Sequence, residues 1–136
     1  PHDRVINMSF YREKDKSSPE ILFRDFYFWF YLYLGRELIS MLENKFQANL
    51  IREIKKEFPG CMVLKNDSSY LQGVPDLSIF YKHHWAMLEV KKGKNAKRQP
   101  NQEYYVDKLN DMSYATFIYP ENKNQVMDEL KRRFND

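Results

Sequence analysis

The chain contains few of the residues on which disulfide-linked or zinc-stabilised domains depend. Its 136 residues include one cysteine, Cys61, so no internal disulfide can form. A lone cysteine fits a reducing compartment, and we expect an intracellular protein. Cys61 lies in an apolar stretch, which favours a buried structural thiol. One cysteine and three histidines give no cysteine–histidine zinc pattern.

Long charge-free runs that could enter a membrane are also missing. The aromatic run from Phe26 to Leu34, FYFWFYLYL, has only nine residues, whereas a membrane-spanning helix needs about 17–25. The run also lacks the basic start and the small-residue cleavage site of a secretory signal. We therefore expect no membrane partner. An apolar helix of this kind must pack on the main domain or on a second copy of the chain.

Net charge is a weak guide to a partner, because it is only +3 although 30% of the residues are charged. The distribution of charge is more informative. Five basic residues fall within eight positions: Lys91, Lys92, Lys94, Lys97 and Arg98. Such a run is often a solvated loop, but its place directly after the acid Glu89 favours contact with the phosphates of a nucleic acid.

Two helices are predicted before residue 60. Ser18, Pro19 and Glu20 are typical of a helix start, and Gly35 predicts the end of that helix. A second helix is predicted over residues 41–58, because apolar side chains recur there at every fourth position before Pro59. We expect residues 1–40 to be an extension that packs or dimerises, and residues 41–136 to be the main domain.

Short strands and helices are predicted after residue 60. The predicted strands cover residues 61–64, 76–81, 84–91 and 114–119, and the predicted helices cover residues 101–112 and 120–134. Lys82 and His83 would form the turn of an antiparallel hairpin. This order predicts an α/β (mixed α+β) domain, in which helices flank a central mixed sheet of four strands.

Two acids and a lysine on the predicted hairpin could carry chemistry. Asp76 opens one strand after a rigid Val74-Pro75 step, and Glu89 and Lys91 share one face of the next strand, about 7 Å apart. Two carboxylates on neighbouring strands can bind one cation, and oxygen ligands favour Mg²⁺ or Mn²⁺. The alternative is a turn aspartate and a solvated ion pair, in a nucleic-acid-binding module without catalysis.

The sequence Gly73-Val74-Pro75-Asp76, followed by Leu88-Glu89-Val90-Lys91 and then by Gln102, resembles the PD-(D/E)XK nuclease superfamily. Its small VRR-NUC and Holliday-junction-resolvase-like members are the most similar. The resemblance covers most of residues 41–136 and does not reach residues 1–40. It implies a restriction-endonuclease-like core and Mg²⁺-dependent hydrolysis of DNA phosphodiester bonds. Branched or junction DNA is a candidate substrate, and a homodimer is a candidate assembly. The resemblance also makes the cytoplasm of a bacterial or phage-infected cell the expected location.

The resemblance also implies the ligands of the metal ion. Asp76 and Glu89 would bind Mg²⁺ together with the main-chain carbonyl of Val90. Glu43 would be the glutamate on the helix before the first strand, and it would make a second ion possible. The sequence from Ser40 to Glu43 also fits a capping box, in which Glu43 would only tie back to a helix start.

Further residues have implied roles around the metal ion. Lys91 would position or help deprotonate the attacking water. Gln102 would support that lysine or contact phosphate, although Val106 stands where related enzymes carry the tyrosine of a Gln-x-x-x-Tyr pattern. The remaining cations of the basic run would hold flanking phosphates: Lys92, Lys94, Lys97 and Arg98.

Overall fold

The computed structural model describes residues 19–136, with side chains from Phe23 onward. The predicted helix cap Ser18 and the start of the predicted extension lie outside these residues. The chain divides into two compact units between Glu37 and Leu38. The elements are α1 (Pro19–Glu57), β1 (Met62–Lys65), β2 (Leu77–Tyr81), β3 (His84–Val90), α2 (Pro100–Met112), β4 (Tyr114–Ile118), a 3₁₀ turn (Pro120–Asn122) and α3 (Lys123–Asn135).

The predicted helix end at Gly35 is wrong, because α1 is unbroken from Pro19 to Glu57. A glycine ends a helix when it adopts a positive φ. Gly35 does not have a positive φ, so the helix continues through it. A glycine inside a helix costs only about 1 kcal/mol. The predicted capping box is also wrong, since Ser40 lies in the helix interior. The predicted helix end before Pro59 is confirmed, since α1 ends at Glu57 and Gly60 follows with φ 86°.

The four strands form one mixed sheet in the order β1-β2-β3-β4. The predicted antiparallel hairpin of β2 and β3 is confirmed, with Lys82 at φ 54° in its turn. β1 adds to β2 antiparallel, whereas β4 adds to β3 parallel. A parallel neighbour requires a crossover connection, and α2 supplies it. The predicted mixed sheet flanked by helices is therefore confirmed.

The main core lies on one face of the sheet. Leu50, Ile54 and Phe58 pack there with the inward side chains of α3, as their spacing of four residues predicts. The second face carries a smaller core, in which Val106 of α2 packs against Ala115 and Phe117 of β4. The half-buried Cys61 packs against the main core, and burial raises the pKa of its thiol. Among residues 19–136, no helix is long and apolar enough to cross a bilayer.

Candidate active site

The hairpin register places Asp76 beside Glu89. β2 and β3 pair Leu77 with Leu88, so one further step along both strands sets Asp76 opposite Glu89. The main-chain N–H of Val90 donates a hydrogen bond of 2.8 Å to Oδ2 of Asp76. The Asp76 side chain therefore takes the place of a main-chain acceptor where the pairing of β2 and β3 ends. This hydrogen bond holds its carboxylate at the end of β3.

Glu89 and Lys91 lie on the face of the sheet that α2 covers, as the alternation of side chains predicts. They are only 3% and 8% exposed, which is unusual for charged residues. Oε1 of Glu89 and Nζ of Lys91 are 3.5 Å apart. A pair of opposite charges is therefore buried between the sheet and the first turn of α2.

Gln102 connects the members of this pair. Its Nε2 donates to Oε1 of Glu89 at 2.5 Å, and its Oε1 accepts from Nζ of Lys91 at 2.8 Å. The same Oε1 accepts from the main-chain N–H of Gln99 at 3.0 Å, across the first turn of α2. Because two donors face the amide oxygen, the amide nitrogen must face the carboxylate. The structure thus brings the sequence-predicted Gln102 into direct contact with Glu89 and Lys91.

The pKa values of both acids in the site are raised, mainly by burial. Burial, and secondly the charge of Asp76, raise the pKa of Glu89 to about 7 despite the opposing effect of Lys91. Burial also raises the pKa of Asp76, although the Val90 N–H and Lys91 oppose that rise. Carboxylates with raised pKa values beside a buried lysine are typical of functional sites.

Glu43 on α1 lies within electrostatic reach of the same group. Burial raises the pKa of the Glu43 carboxyl, and the charge of Asp76 adds to this effect. Lys91 and the main-chain N–H of Lys92 act in the opposite direction. Glu43 is therefore not a capping residue but a half-buried carboxylate that faces the acid pair and its lysine.

The donor set at this end of the hairpin fits a hard cation. Within residues 19–136, no three histidine, cysteine, aspartate or glutamate side chains form a metal-binding group. The candidate ligands are instead the carboxylates of Asp76 and Glu89 and the carbonyl of Val90. In an extended strand the N–H and C=O of one residue point to the same side, so the Val90 carbonyl points to the side on which Asp76 lies. All three donors are oxygens, which suit Mg²⁺ or Mn²⁺.

The basic run divides into two parts with different environments. Lys91 is buried in the site, whereas the four cations after it are exposed: Lys92, Lys94, Lys97 and Arg98. They lie on the loop that leads from the end of β3 to the start of α2. Cζ of Arg98 lies 4.2 Å from the centre of the Phe117 ring, which orders that guanidinium. The exposed cations thus belong to the segment that joins Lys91 to Gln102.

Asn66 was not predicted from the sequence as part of the site. Its main-chain N–H donates to the carbonyl of Asp76 at 2.8 Å, which extends the pairing of β1 and β2 by one residue. Its Nδ2 donates to the carbonyl of Pro75 at 2.7 Å and to Oγ of Ser78 at 2.8 Å. Asn66 therefore fixes the backbone that presents Asp76. A polar residue directly after an edge strand was the only signal, and ordinary turns share it.

Gly73 joins the segment before Asp76 to α2. It has φ 94°, and a Cβ atom at this position would lie 2.8 Å from the main-chain carbonyl carbon of Asn101. Only glycine permits both this backbone conformation and this close approach. Gly73 therefore allows the loop before β2 to contact the turn of α2 that carries Gln102.

The chain matches no protein-family model, no curated protein and no solved structure.

Proposed function

We propose that this protein is a Mg²⁺-dependent endonuclease that hydrolyses DNA phosphodiester bonds. The observation that carries the proposal is the buried contact of Glu89, Lys91 and Gln102, with Asp76 opposite Glu89 on the neighbouring strand. Burying these charges is costly for a fold. Such a cost is expected where a cation and a phosphate are bound, because both would compensate the buried charges.

Asp76, Glu89 and the Val90 carbonyl would hold the Mg²⁺ ion. When bound, this ion lowers the pKa of a coordinated water and polarises a non-bridging phosphate oxygen. Lys91 and Gln102 both contact Oε1 of the Glu89 carboxylate, and these contacts would hold the carboxylate in place beside the ion. Glu43 is the further carboxylate that could hold a second ion, since it interacts electrostatically with Asp76.

Lys91 would act on the attacking water or on the phosphate. An ammonium group has three N–H donors, and two of them are directed at Oε1 of Gln102 and Oε1 of Glu89. The third donor can point to the water or to a phosphate oxygen, where its charge offsets the charge that develops during hydrolysis. Gln102 keeps the ammonium in place, because its amide oxygen cannot turn away without losing the Gln99 N–H.

The exposed loop between β3 and α2 would bind the DNA backbone. Its cations are placed next to the site by the chain itself, and contacts to phosphate position a strand without reading its sequence. Such contacts do not choose between forms of DNA. Branched or junction DNA is the candidate substrate that the resemblance of the Gly73–Lys91 segment to resolvase-like nucleases favours.

A cleavage assay tests the proposal. The full chain is incubated with linear, flap and four-way-junction DNA in Mg²⁺, and we expect nicks that Asp76→Ala, Glu89→Ala and Lys91→Ala each reduce by roughly 10²-fold or more. Glu103→Ala and Lys108→Ala are matched controls, because both residues are exposed on α2 and should leave the rate unchanged. Circular dichroism and thermal melting establish that each variant is folded. Full activity of a folded Glu89→Ala variant would defeat the proposal.

A second candidate function is nucleic-acid binding without catalysis. The four exposed loop cations favour binding, and the described residues contain no group of three side-chain ligands for a metal ion. Isothermal titration calorimetry with Mn²⁺ and with duplex DNA separates the two candidates. A nuclease should bind Mn²⁺ in a manner that Asp76→Ala abolishes. DNA binding that is retained without any Mn²⁺ binding would favour the second candidate.

A further inference from the structure

The aromatic part of α1 exposes apolar side chains in every direction. Trp29 is 65% exposed and Tyr31 is 70% exposed, and neighbouring phenylalanines have similar values. Isolated apolar residues on a surface are normal, but a continuous apolar surface on a helix marks an interaction site. The question is which partner fits this helix.

A heptad row with two charged members lies along one side of this helix. Asp25, Trp29, Leu32 and Arg36 follow one another at alternating spacings of four and three, as the a and d positions of a coiled coil do. All four side chains are exposed. Heptad seams are normally apolar throughout, so an aspartate at one end and an arginine at the other call for a specific explanation.

The row is symmetric about the midpoint between Phe30 and Tyr31. Trp29 precedes this midpoint by as many positions as Leu32 follows it, and the same holds for Asp25 and Arg36. In an antiparallel pair of identical helices with a two-fold axis at this midpoint, each a position faces a d position of the other copy. Asp25 would then face Arg36 of the partner subunit, and Trp29 would face Leu32 of the partner subunit.

We propose that a second copy of this chain covers this face, antiparallel and in this register, so that α1 forms a two-fold dimer. The parallel arrangement in register is unfavourable, because it would set Asp25 against Asp25 of the partner subunit and Arg36 against Arg36 of the partner subunit. Polar residues within a coiled-coil seam are known to specify register and orientation at some cost in stability. The two charges thus select the antiparallel pair.

Gly35 has a role in the same register. It flanks the row on the side of Phe28, and the two-fold axis brings Phe28 close to Gly35 of the partner subunit. Nothing lies within 4 Å of a Cβ atom built on Gly35. The missing side chain leaves room for the phenylalanine ring, which gives a reason for a glycine inside an otherwise unbroken helix.

Between residues 23 and 37, the opposite side of the helix is apolar except for Arg24 and Glu37. Phe23, Tyr27, Phe30, Tyr31 and Leu34 point away from the row and carry no charge. Two dimers can associate through these residues without changing the charged layers. The antiparallel pair is therefore the repeating unit of the assembly, and an even number of subunits is the expected state.

Charge reversal tests the pairing in the full-length protein. By sedimentation equilibrium, we expect the wild type to have twice the chain mass of 16.6 kDa, or an even multiple of it. Asp25→Arg alone and Arg36→Asp alone should weaken association by about tenfold or more, because each places like charges in two layers. The double variant Asp25→Arg/Arg36→Asp restores opposite charges in the antiparallel pair, and its dissociation constant should return to within about threefold of the wild type.

Neighbouring residues provide matched controls. Arg24 and Glu37 are charged residues next to Asp25 and Arg36, but they lie outside the row. Arg24→Glu and Glu37→Arg should therefore leave association unchanged. A monomeric wild type, an odd-numbered assembly, or a double variant no better than the single variants would overturn the proposal. Equal weakening of association by the control variants would overturn it too. So would a wild type that stays monomeric and binds phosphatidylcholine vesicles.

Cysteine cross-linking tests the orientation independently of charge. In a Cys61→Ser background, Asp25→Cys and Arg36→Cys variants are refolded separately and as a mixture, and then oxidised. The antiparallel pair places residue 25 next to residue 36 of the partner subunit, while the two copies of residue 25 are about 16 Å apart along the axis. We expect a disulfide only in the mixture. Efficient cross-linking of Asp25→Cys with itself would indicate a parallel pair and overturn the proposal.

Discussion

Two regions of this molecule invert the usual distribution of residues, and they do so in opposite directions. The aromatic part of α1, before Glu37, exposes large apolar side chains such as Trp29. The sheet of the second unit buries two charged side chains, Glu89 and Lys91. Each inversion costs free energy in an isolated chain. We propose that a second copy of the chain binds the helix, and that a cation and a phosphate bind at the sheet.

The two regions differ in what their own sequences reveal. On the helix the charges at Asp25 and Arg36 are symmetric about a midpoint, so the partner can be inferred from the chain itself. At the sheet the acids Glu89, Asp76 and Glu43 all have raised pKa values, mainly through burial, and they interact with Lys91, which supports the proposed cation. The following variants test how far each inversion is tolerated, beginning with the largest expected effect.

Removal of the buried carboxylate charge should have the largest effect on stability. The pKa of Glu89 is about 7 in the fold against 4.5 as a reference, so the unfolded chain holds fewer protons than the fold between these values. The free energy of unfolding should therefore fall as pH rises from 5 to 8, by up to about 3 kcal/mol. Glu89→Gln should abolish most of this fall and stabilise the metal-free protein at pH 8.

Urea denaturation at pH 5 and pH 8, without divalent ions, measures this effect. Mg²⁺ should recover part of the lost stability of the wild type at pH 8 and should have no such effect on Glu89→Gln. Glu103→Gln, an exposed carboxylate on α2, is the control. An identical pH dependence of the wild type and Glu89→Gln would show that the buried charge is not the cause.

Substitution of Gly73 should have the next largest effect. An alanine there would combine a left-handed backbone conformation with a Cβ atom 2.8 Å from Asn101, and we expect a loss of about 2–3 kcal/mol. Gly60→Ala is the matched control, because Gly60 has φ 86° but no atom within 4 Å of its Cβ position. It should cost about 1 kcal/mol. Equal melting temperatures of the two variants would contradict the steric argument.

Loss of Gln102 should have a smaller effect on stability. Gln102→Ala removes the hydrogen bonds to Glu89, Lys91 and the Gln99 N–H, while Glu89 and Lys91 can still pair with each other. We expect a loss of about 1–2 kcal/mol and, if the protein is a nuclease, a rate reduced by about 10–100-fold. Gln102→Glu adds a charge to an already negative site. The stability that this variant loses should therefore be larger at pH 8 than at pH 5. A pH-independent loss would argue against the charge imbalance.

Substitution on the outer side of the aromatic helix should have the smallest effect. Tyr31→Gln changes a side chain that is 70% exposed, so the unfolding free energy of the monomer should change by less than about 0.5 kcal/mol. Trp29→Gln, on the heptad row, should behave similarly in the monomer but should weaken self-association. Differential scanning calorimetry at low protein concentration measures the first quantity, and sedimentation measures the second. A large monomer effect would mean that the helix is already packed within its own chain.

Much of the fold could be predicted from local patterns. The hairpin of β2 and β3 follows from alternating apolar residues around a short turn, and the packing of Leu50 and Ile54 follows from their spacing of four. The helix end at Gly35 was wrong, because glycine permits a stop but does not enforce one when good helix formers surround it. The helix propensity of its neighbours outweighs the cost of a single glycine here.

The candidate site was predictable to a different degree for each residue. The common face of Glu89 and Lys91 follows from strand alternation alone. The place of Gln102 followed only from resemblance, since no pattern in α2 indicates a contact with β3. Asn66 could not be predicted from the sequence. Its contacts with Pro75 and Asp76 arise because the hydrogen bonding between β1 and β2 continues one residue beyond the ends of these strands.

The carboxamide oxygen of Gln102 links the main chain at the start of α2 to the ammonium of Lys91. The oxygen accepts one hydrogen bond from the Gln99 amide and another from the Lys91 ammonium. A ligand that draws the Lys91 ammonium away from this oxygen would also weaken the hydrogen bond across the first turn of α2. Hydrogen exchange at the Gln99 amide should therefore report whether Lys91 still contacts Gln102 or binds elsewhere.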